Sequence, residues 1–185
     1  MQIVGLSGSF RSGSYNTKLL RFIGTLFDED AEFVVVSDLD QLPFYAETWE
    51  SALPAYAEQL RALVADADAL IIASPEYNHS YTPVIKNAID WLSRPYGAGS
   101  ITRKPVALVG ASPSLYGTIR AQSHLRQVLH GVDADLVTRP EIFVNDASAK
   151  FDLQGNLTDE VGVELTKALV ARLYELEVSD RRLTA

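Results

Sequence analysis

The chain has 185 residues, 47% of them hydrophobic, with 11 Gly and 8 Pro. That excludes collagen-like, low-complexity and disordered classes and predicts one globular domain spanning 1–185. Sixteen Lys and Arg against 24 Asp and Glu give a net charge of −8, which argues against nucleic-acid and anionic-membrane partners and leaves any bound anion to local charge.

Cysteine is absent, so disulfides, thiolate metal sites and cysteine nucleophiles are excluded and a reducing, cytoplasmic setting is expected. Met1 to Ser7 is a short apolar run without a basic leader, and within it Gln2–Leu6 reads as a first strand rather than a targeting segment. Further strands are expected at Glu32–Val36, Ala69–Ala73 and Pro105–Ala111, with a weaker one around Glu141–Val144. The three middle runs are almost continuously apolar, as in strands covered on both faces. The most apolar stretch, Ala67–Ala73, carries Asp68 and is far shorter than the roughly 20 residues that span a bilayer.

Between the strands lie helical periods. Leu19, Leu20, Ile23 and Leu26–Phe27 form the first, and Leu53, Tyr56, Ala57, Leu60 and Val64 the second. The third begins near Pro83 and carries Val84, Ile85, Ala88, Ile89 and Leu92. A fourth is expected from about Thr118 to His130. The last follows a Thr158 cap, repeats Leu165, Leu169, Leu173 and Leu176, and leaves a charged tail beyond Ser179. Alternation of this kind predicts an α/β fold, a doubly wound five-stranded parallel sheet in three α/β/α layers.

Three polar loops follow strand ends: Ser7–Tyr15, Ser74–Thr82 and Ser112–Gly117. In an open α/β sheet that edge is where ligands bind. A further loop, Asp38–Glu50, covers the site or simply connects. The first loop combines small residues, hydroxyls and Arg11 ahead of a helix start, which suits a phosphate. Its Gly8 and Gly13 have P-loop spacing, but Ser14-Tyr15 stand where Lys-Ser/Thr is required, and no G-x-G-x-x-G follows the strand. The plainer reading is a Ser/Gly turn with Asn16 as a helix cap. The second loop joins Pro75, Tyr77 and Asn78 into a surface for a planar ligand; the plainer reading makes Tyr77 a core aromatic and Asn78 a turn former. The third nearly spells G-x-S-x-G, with Ser114 in place of the closing Gly, so a hydrolytic triad on Ser112 is a weak alternative. Only His79, His124 and His130 are present and no H-E-x-x-H pattern occurs, so no metal site is expected.

From Ile3 to about Val144 the chain resembles the NADPH-dependent FMN reductase family, the flavodoxin-like group that includes bacterial quinone and chromate reductases. The resemblance rests on Gly8-Ser9-Phe10-Arg11-Ser12-Gly13-Ser14-Tyr15-Asn16, on Ser74-Pro75-Glu76-Tyr77-Asn78-His79-Ser80, and on Lys86-Asn87-Ala88-Ile89-Asp90-Trp91-Leu92-Ser93. Arg120-Ala121-Gln122 and Leu125-Arg126-Gln127-Val128-Leu129 extend it. It implies that Ser9, Arg11, Ser14 and Asn16 bind the phosphate of FMN. It further implies that Pro75, Glu76, Tyr77 and Asn78 contact the isoalloxazine, and that Ser112 and Gly117 line its other side. NADPH or NADH would donate hydride to the flavin, and a small acceptor such as a quinone, free flavin, azo compound or metal oxyanion would take two electrons in a ping-pong cycle. No catalytic side chain of the protein's own is then required. The resemblance also implies a homodimer or homotetramer, with His79, Arg120 and Glu141 at subunit contacts. Ser114 and Thr118 depart from the family's glycines. A flavodoxin-like electron carrier between protein partners is the alternative, and a flavin-free regulator a further one.

Overall fold

The computed structural model describes residues 1–184, with side chains through Glu177. Five strands form one sheet: β1 Gln2–Ser7, β2 Glu32–Val36, β3 Ala69–Ala73, β4 Pro105–Ala111 and β5 Asp135–Val144. All neighbours run parallel in the order β2-β1-β3-β4-β5. The helices are α1 Tyr15–Gly24, α2 Ala55–Asp66, α3 Pro83–Leu92, α4 Ile119–Gly131, α5 Ala147–Lys150 and α6 Glu160–Thr184.

Strand alternation sorts the core into two layers. Leu70 and Ile72 of β3 face one side with Val4, Leu6, Val106 and Leu108, covered by α2, α3 and α4 through Leu60, Val64, Ile85, Ile89, Trp91, Leu125 and Leu129. Ala69, Ile71 and Ala73 face the other with Ile3, Ala107 and Val109, covered by α1 and α6 through Leu19, Leu20, Ile23, Leu169 and Leu173. Every β3 residue is buried, which is why its sequence is an unbroken apolar run rather than an alternating one. Removing a side chain such as Ile71 would cost about 2–5 kcal/mol, since both faces are packed.

Helix starts follow local chemistry. Ser14 caps α1 by accepting the Thr17 N–H at 3.3 Å, so the cap is Ser14 and not Asn16. Pro83 stands at the first turn of α3, where its missing N–H removes nothing. The last helix is capped by Asp159, whose carboxylate accepts from Gly162 N–H at 2.8 Å, while the expected cap Thr158 turns its hydroxyl to Lys150 O. Helix α6 continues past Ser179 to Thr184, whose tail side chains lie outside the described residues. Leu26, Phe27 and Leu53 fall outside the helices their spacing suggested and pack as partly buried side chains against the two layers.

Strand β5 is six residues longer at its start than its sequence suggests. Its early part alternates burial at an edge and contains Pro140, and the register against β4 shifts between Ala107 and Val109. An edge strand tolerates proline because one side of its backbone has no partner strand to serve.

From β1 the chain passes out to β2 and then returns across β1 to β3. The order therefore reverses between β1 and β3, and the loops leaving those two strands diverge to opposite sides of the sheet. Such a switch point leaves a crevice at the carboxyl ends of the strands.

Candidate active site

The loop after β1 is drawn tight against the loop after β3. Gly8 N–H donates to Ala73 O at 2.7 Å, and Thr82 Oγ1 donates to Gly8 O at 2.9 Å. A Cβ on Gly8 would sit 2.8 Å from both Thr82 Oγ1 and Ile85 Cγ1, so only glycine permits this approach. Beyond it, Ser9 is buried and its carbonyl accepts from Ser7 and Thr17 hydroxyls. The backbone N–H groups of Phe10, Arg11, Ser12, Gly13, Tyr15 and Asn16 meet no protein acceptor among the described residues. That is a cradle of donors at a helix N-terminus, with no acidic residue in the first turn to occupy it. Arg11 has no carboxylate partner there and lies 5.8 Å from the Tyr15 ring centre.

The loop after β3 is held differently. Tyr77 and Ser80 exchange both backbone hydrogen bonds, at 2.9 and 3.0 Å, around Asn78 and His79 in the left-handed region at φ 48° and 66°. Two consecutive non-glycine residues at positive φ make a strained, tightly closed turn. Glu76 turns its carboxylate to the start of α4, accepting from the N–H groups of Arg120 and Ala121 at 3.0 and 3.2 Å. The same carboxylate pairs with the Arg120 guanidinium at 2.5 Å, and Arg120 lies over the Tyr116 ring. Ser80 Oγ and His124 Nδ1 are 3.0 Å apart, a second tie to α4.

Asn16 spans to the third wall. Its Oδ1 accepts from Ala111 N–H at 3.0 Å and its Nδ2 donates to Ala111 O at 2.9 Å, so most of an amide expected on phosphate is occupied by the end of β4. Ser112 Oγ donates to Ser114 Oγ and accepts from Ser114 N–H, and no imidazole engages it, so the hydrolytic triad is not assembled. Thr118 is buried against Gly110, where an added Cβ would overlap Thr118 Oγ1 at 2.0 Å. The departure at Thr118 is therefore accommodated by glycine one strand earlier.

One cleft gathers Ser9, Arg11, Ser14, Asn16, Pro75, Glu76, Tyr77 and Ser112, and adds Tyr15, Ala111 and Pro113. Asn78 and Gly117 do not line it. Asn78 sits at the exposed turn, and Gly117, at φ 58°, is buried against Phe143, where a Cβ would come within 3.3 Å. Tyr77 is 53% exposed, which makes it a platform at the rim rather than a core aromatic. Of the three residues the resemblance placed at subunit contacts, Arg120 and Glu141 have partners in their own chain, Glu141 with Arg126 and Arg139.

Asn87 and Trp91, within the family-like run of α3, do not line this cleft. Asn87 accepts from Tyr45 N–H and donates to Leu42 O and Pro43 O, and Trp91 Nε1 donates to Pro43 O at 2.8 Å. They fasten loop 38–50 beside the sheet. Tyr56 fastens the same loop through Asp38 at 2.7 Å, and burial, helped by that carboxylate, pushes its hydroxyl well above the ordinary tyrosine range. Among the described residues no cluster of His, Asp and Glu could hold a metal ion, and no helix is long and apolar enough to cross a membrane.

The NADPH-dependent FMN reductase family model matches residues 1–149. An NAD(P)H-dependent FMN reductase of Pseudomonas aeruginosa is 39% identical over 184 residues, covering 99% of this chain and 97% of its own. A 2-hydroxy-1,4-benzoquinone reductase of a Burkholderia species is 36% identical, covering 98% of each chain. Among solved structures, a flavoenzyme NAD(P)H:(acceptor) oxidoreductase of Paracoccus denitrificans superposes with a TM-score of 0.87 at 30% identity, covering 96% of this chain and 97% of that one. The fold is flavodoxin-like, and the chain belongs to the NADPH-dependent FMN reductase family of NAD(P)H-dependent oxidoreductases.

Proposed function

We propose that this chain binds FMN in the cleft between the three loops and passes two electrons from NAD(P)H to a small acceptor by a ping-pong mechanism. The observation that carries the reading is the set of unaccepted N–H groups at Phe10–Gly13, Tyr15 and Asn16 beside Arg11, on a loop whose Ser9, Arg11 and Ser14 join the concavity around Ser12 and Gly13 to the cleft walled by Pro75, Glu76 and Tyr77. Those donors suit the FMN phosphate, with Ser9, Ser14 and the remaining N–H of Asn16 beside them. The backbone of Pro75–Asn78 and the Tyr77 face flank the ring on one side, and Ser112, with Gly117 shaping the turn behind it, on the other. FMN when bound supplies the hydride and electron chemistry. The protein binds and orients the flavin, and its backbone dipoles stabilise negative charge where reduction places it.

A quinone is the favoured acceptor class, in line with the relative that reduces 2-hydroxy-1,4-benzoquinone. Free flavins, azo compounds and metal oxyanions belong to the same range. The reading includes a cytoplasmic setting and a homodimer or homotetramer, for which exposed Phe44, Tyr77, Tyr96 and Tyr116 offer apolar surface.

The test is the visible spectrum of the protein with added FMN, followed by anaerobic NADPH and then a quinone. Bound flavin that NADPH bleaches and quinone restores is the expected result, with parallel double-reciprocal plots. Bound flavin that NADPH leaves oxidised would favour an electron carrier between proteins, and protein that takes up no flavin would overturn the reading.

A further inference from the structure

Past α5 the chain folds into a short hairpin, residues 150–158, beyond the part that the family model matches. Phe151 and Leu157 pair across it as an antiparallel bridge. Its turn is closed from within: the Asp152 carboxylate accepts from Asn156 N–H at 2.7 Å and from Asn156 Nδ2 at 2.9 Å, and Gly155 N–H donates to Asp152 O at 3.1 Å. At its base Thr158 N–H donates to Lys150 O at 2.9 Å, and Lys150 Nζ donates to Asn145 Oδ1 at 2.9 Å. Leu157 is buried in the layer covered by α1 and α6, with Phe151 partly buried against it.

This firm piece bears on the helix start beside the phosphate-type loop. The Phe151 ring lies 5.7 Å from the Tyr15 ring, tilted by 34°. A Cβ on Gly155 would stand 3.4 Å from Lys18 Cγ and 3.6 Å from its Cδ, so the turn passes close to that alkyl stem. Lys18 Nζ is 5.5 Å from the Tyr15 ring centre, and the Arg11 guanidinium 5.8 Å. Both cations fall within the roughly 6 Å at which an aromatic face attracts positive charge. Among the described residues the Arg11 guanidinium has neither a carboxylate partner nor a hydrogen bond to protein, so its place depends on the Tyr15 ring. Tyr15 in turn has Phe151 as its aromatic neighbour, and such a pair restrains a ring beyond what burial of area does. Tyr15 and Arg11 line the cleft, whereas Phe151 stands behind them and does not.

We infer that Phe151 is a positioning residue for flavin binding: through the Tyr15 ring it holds Arg11 where the phosphate is received. The inference rests on the functional reading above and adds to it a residue that touches neither the cleft nor the flavin.

The test compares Phe151→Leu, which keeps apolar bulk and removes the ring, with Phe151→Tyr, which keeps the ring. Phe151→Leu is also made in an Arg11→Ala background. Affinities for FMN and riboflavin are read by flavin fluorescence titration, and the flavin-free Tm by thermal denaturation. Riboflavin lacks the phosphate, so the ratio of the two affinities isolates the phosphate's share. Phe151→Leu is expected to lower FMN affinity about fivefold and leave riboflavin affinity unchanged. Phe151→Tyr is expected to keep the parent's ratio. Once Arg11 is gone, Phe151→Leu is expected to change the ratio no further, because the two residues act in series. A purely structural Phe151 would weaken both flavins alike, or lower Tm and spare both, and either result overturns the inference. So does a fivefold loss that persists in the Arg11→Ala background, since the effect would then bypass Arg11. Any of these results with a parent protein that binds FMN leaves the functional reading intact, whereas a parent that takes up no flavin defeats that reading and the inference together.

Discussion

The loops after β1 and β3 meet at the same crevice yet are built on opposite plans. In the second, polar groups are turned inward: Glu76 on Arg120 and the α4 N-terminus, Ser80 on His124, Tyr77 and Ser80 on each other. In the first, the N–H groups of Phe10–Gly13 meet no protein acceptor and the Arg11 guanidinium no carboxylate among the described residues. A segment satisfied from within is fixed in shape before any ligand arrives. One whose donors remain open gains most when a ligand arrives. The comparison assigns shape to the loop beside the ring and affinity to the loop beside the phosphate.

The largest effect expected on this comparison is from Glu76→Ala. It leaves Arg120 without its carboxylate and uncaps α4, a loss of about 3 kcal/mol in stability. Thermal denaturation should show Tm lower by roughly 9 °C, with the ratio of FMN to riboflavin affinity unchanged. A large change in that ratio would mean that the second loop also serves the phosphate. Arg11→Ala should do the reverse. FMN affinity, read by flavin fluorescence titration, should fall about thirtyfold, while the flavin-free Tm stays within about 2 °C of the parent. An equal loss of riboflavin affinity would break the comparison.

The smallest effect tests the fastened loop 38–50. The Tyr56 hydroxyl stays protonated in the fold above its ordinary value of 10.0, because burial and Asp38 disfavour the phenolate. The unfolded chain releases that proton first. Its contribution to stability is therefore complete below pH 10 and decays as pH rises beyond it. In Tyr56→Phe the decay is absent, so the stability gap between parent and variant should narrow in urea titrations above pH 10. A gap that stays constant would show that Tyr56 is not held as a neutral donor.

Much of the frame is legible in the chain itself. Ala69–Ala73 and Pro105–Ala111 are apolar runs because their strands are covered on both faces, and both coincide with observed strands, as does Glu32–Val36, an edge strand in which Val36 alone is fully buried. The first part of β5 is not legible, because Asp135–Glu141 mixes charge with Pro140 at an edge where only one flank is paired. Within the cleft, Ser9, Arg11 and Tyr77 stand in local patterns whose chemistry shows in sequence. The two-point hold of Asn16 on Ala111 and the pairing of Glu76 with Arg120 do not, since their partners are 95 and 44 residues away. Nor does the lack of a carboxylate partner at Lys18 and Arg21 among the described residues, which shows only in the fold.

The bridge from Asn16 to Ala111 also orders events during synthesis. The amide stands at the start of α1, and its backbone partner belongs to the fourth strand to leave the ribosome. Until β4 has emerged and docked beside β3, the base of the phosphate-type loop lacks its far anchor. A nascent chain that stops short of Ala111 holds every cradle residue and the ties of Gly8 to Ala73 and Thr82, but not the hold on Asn16. Competence to take up a flavin should therefore appear late in translation, as a property of the assembled sheet.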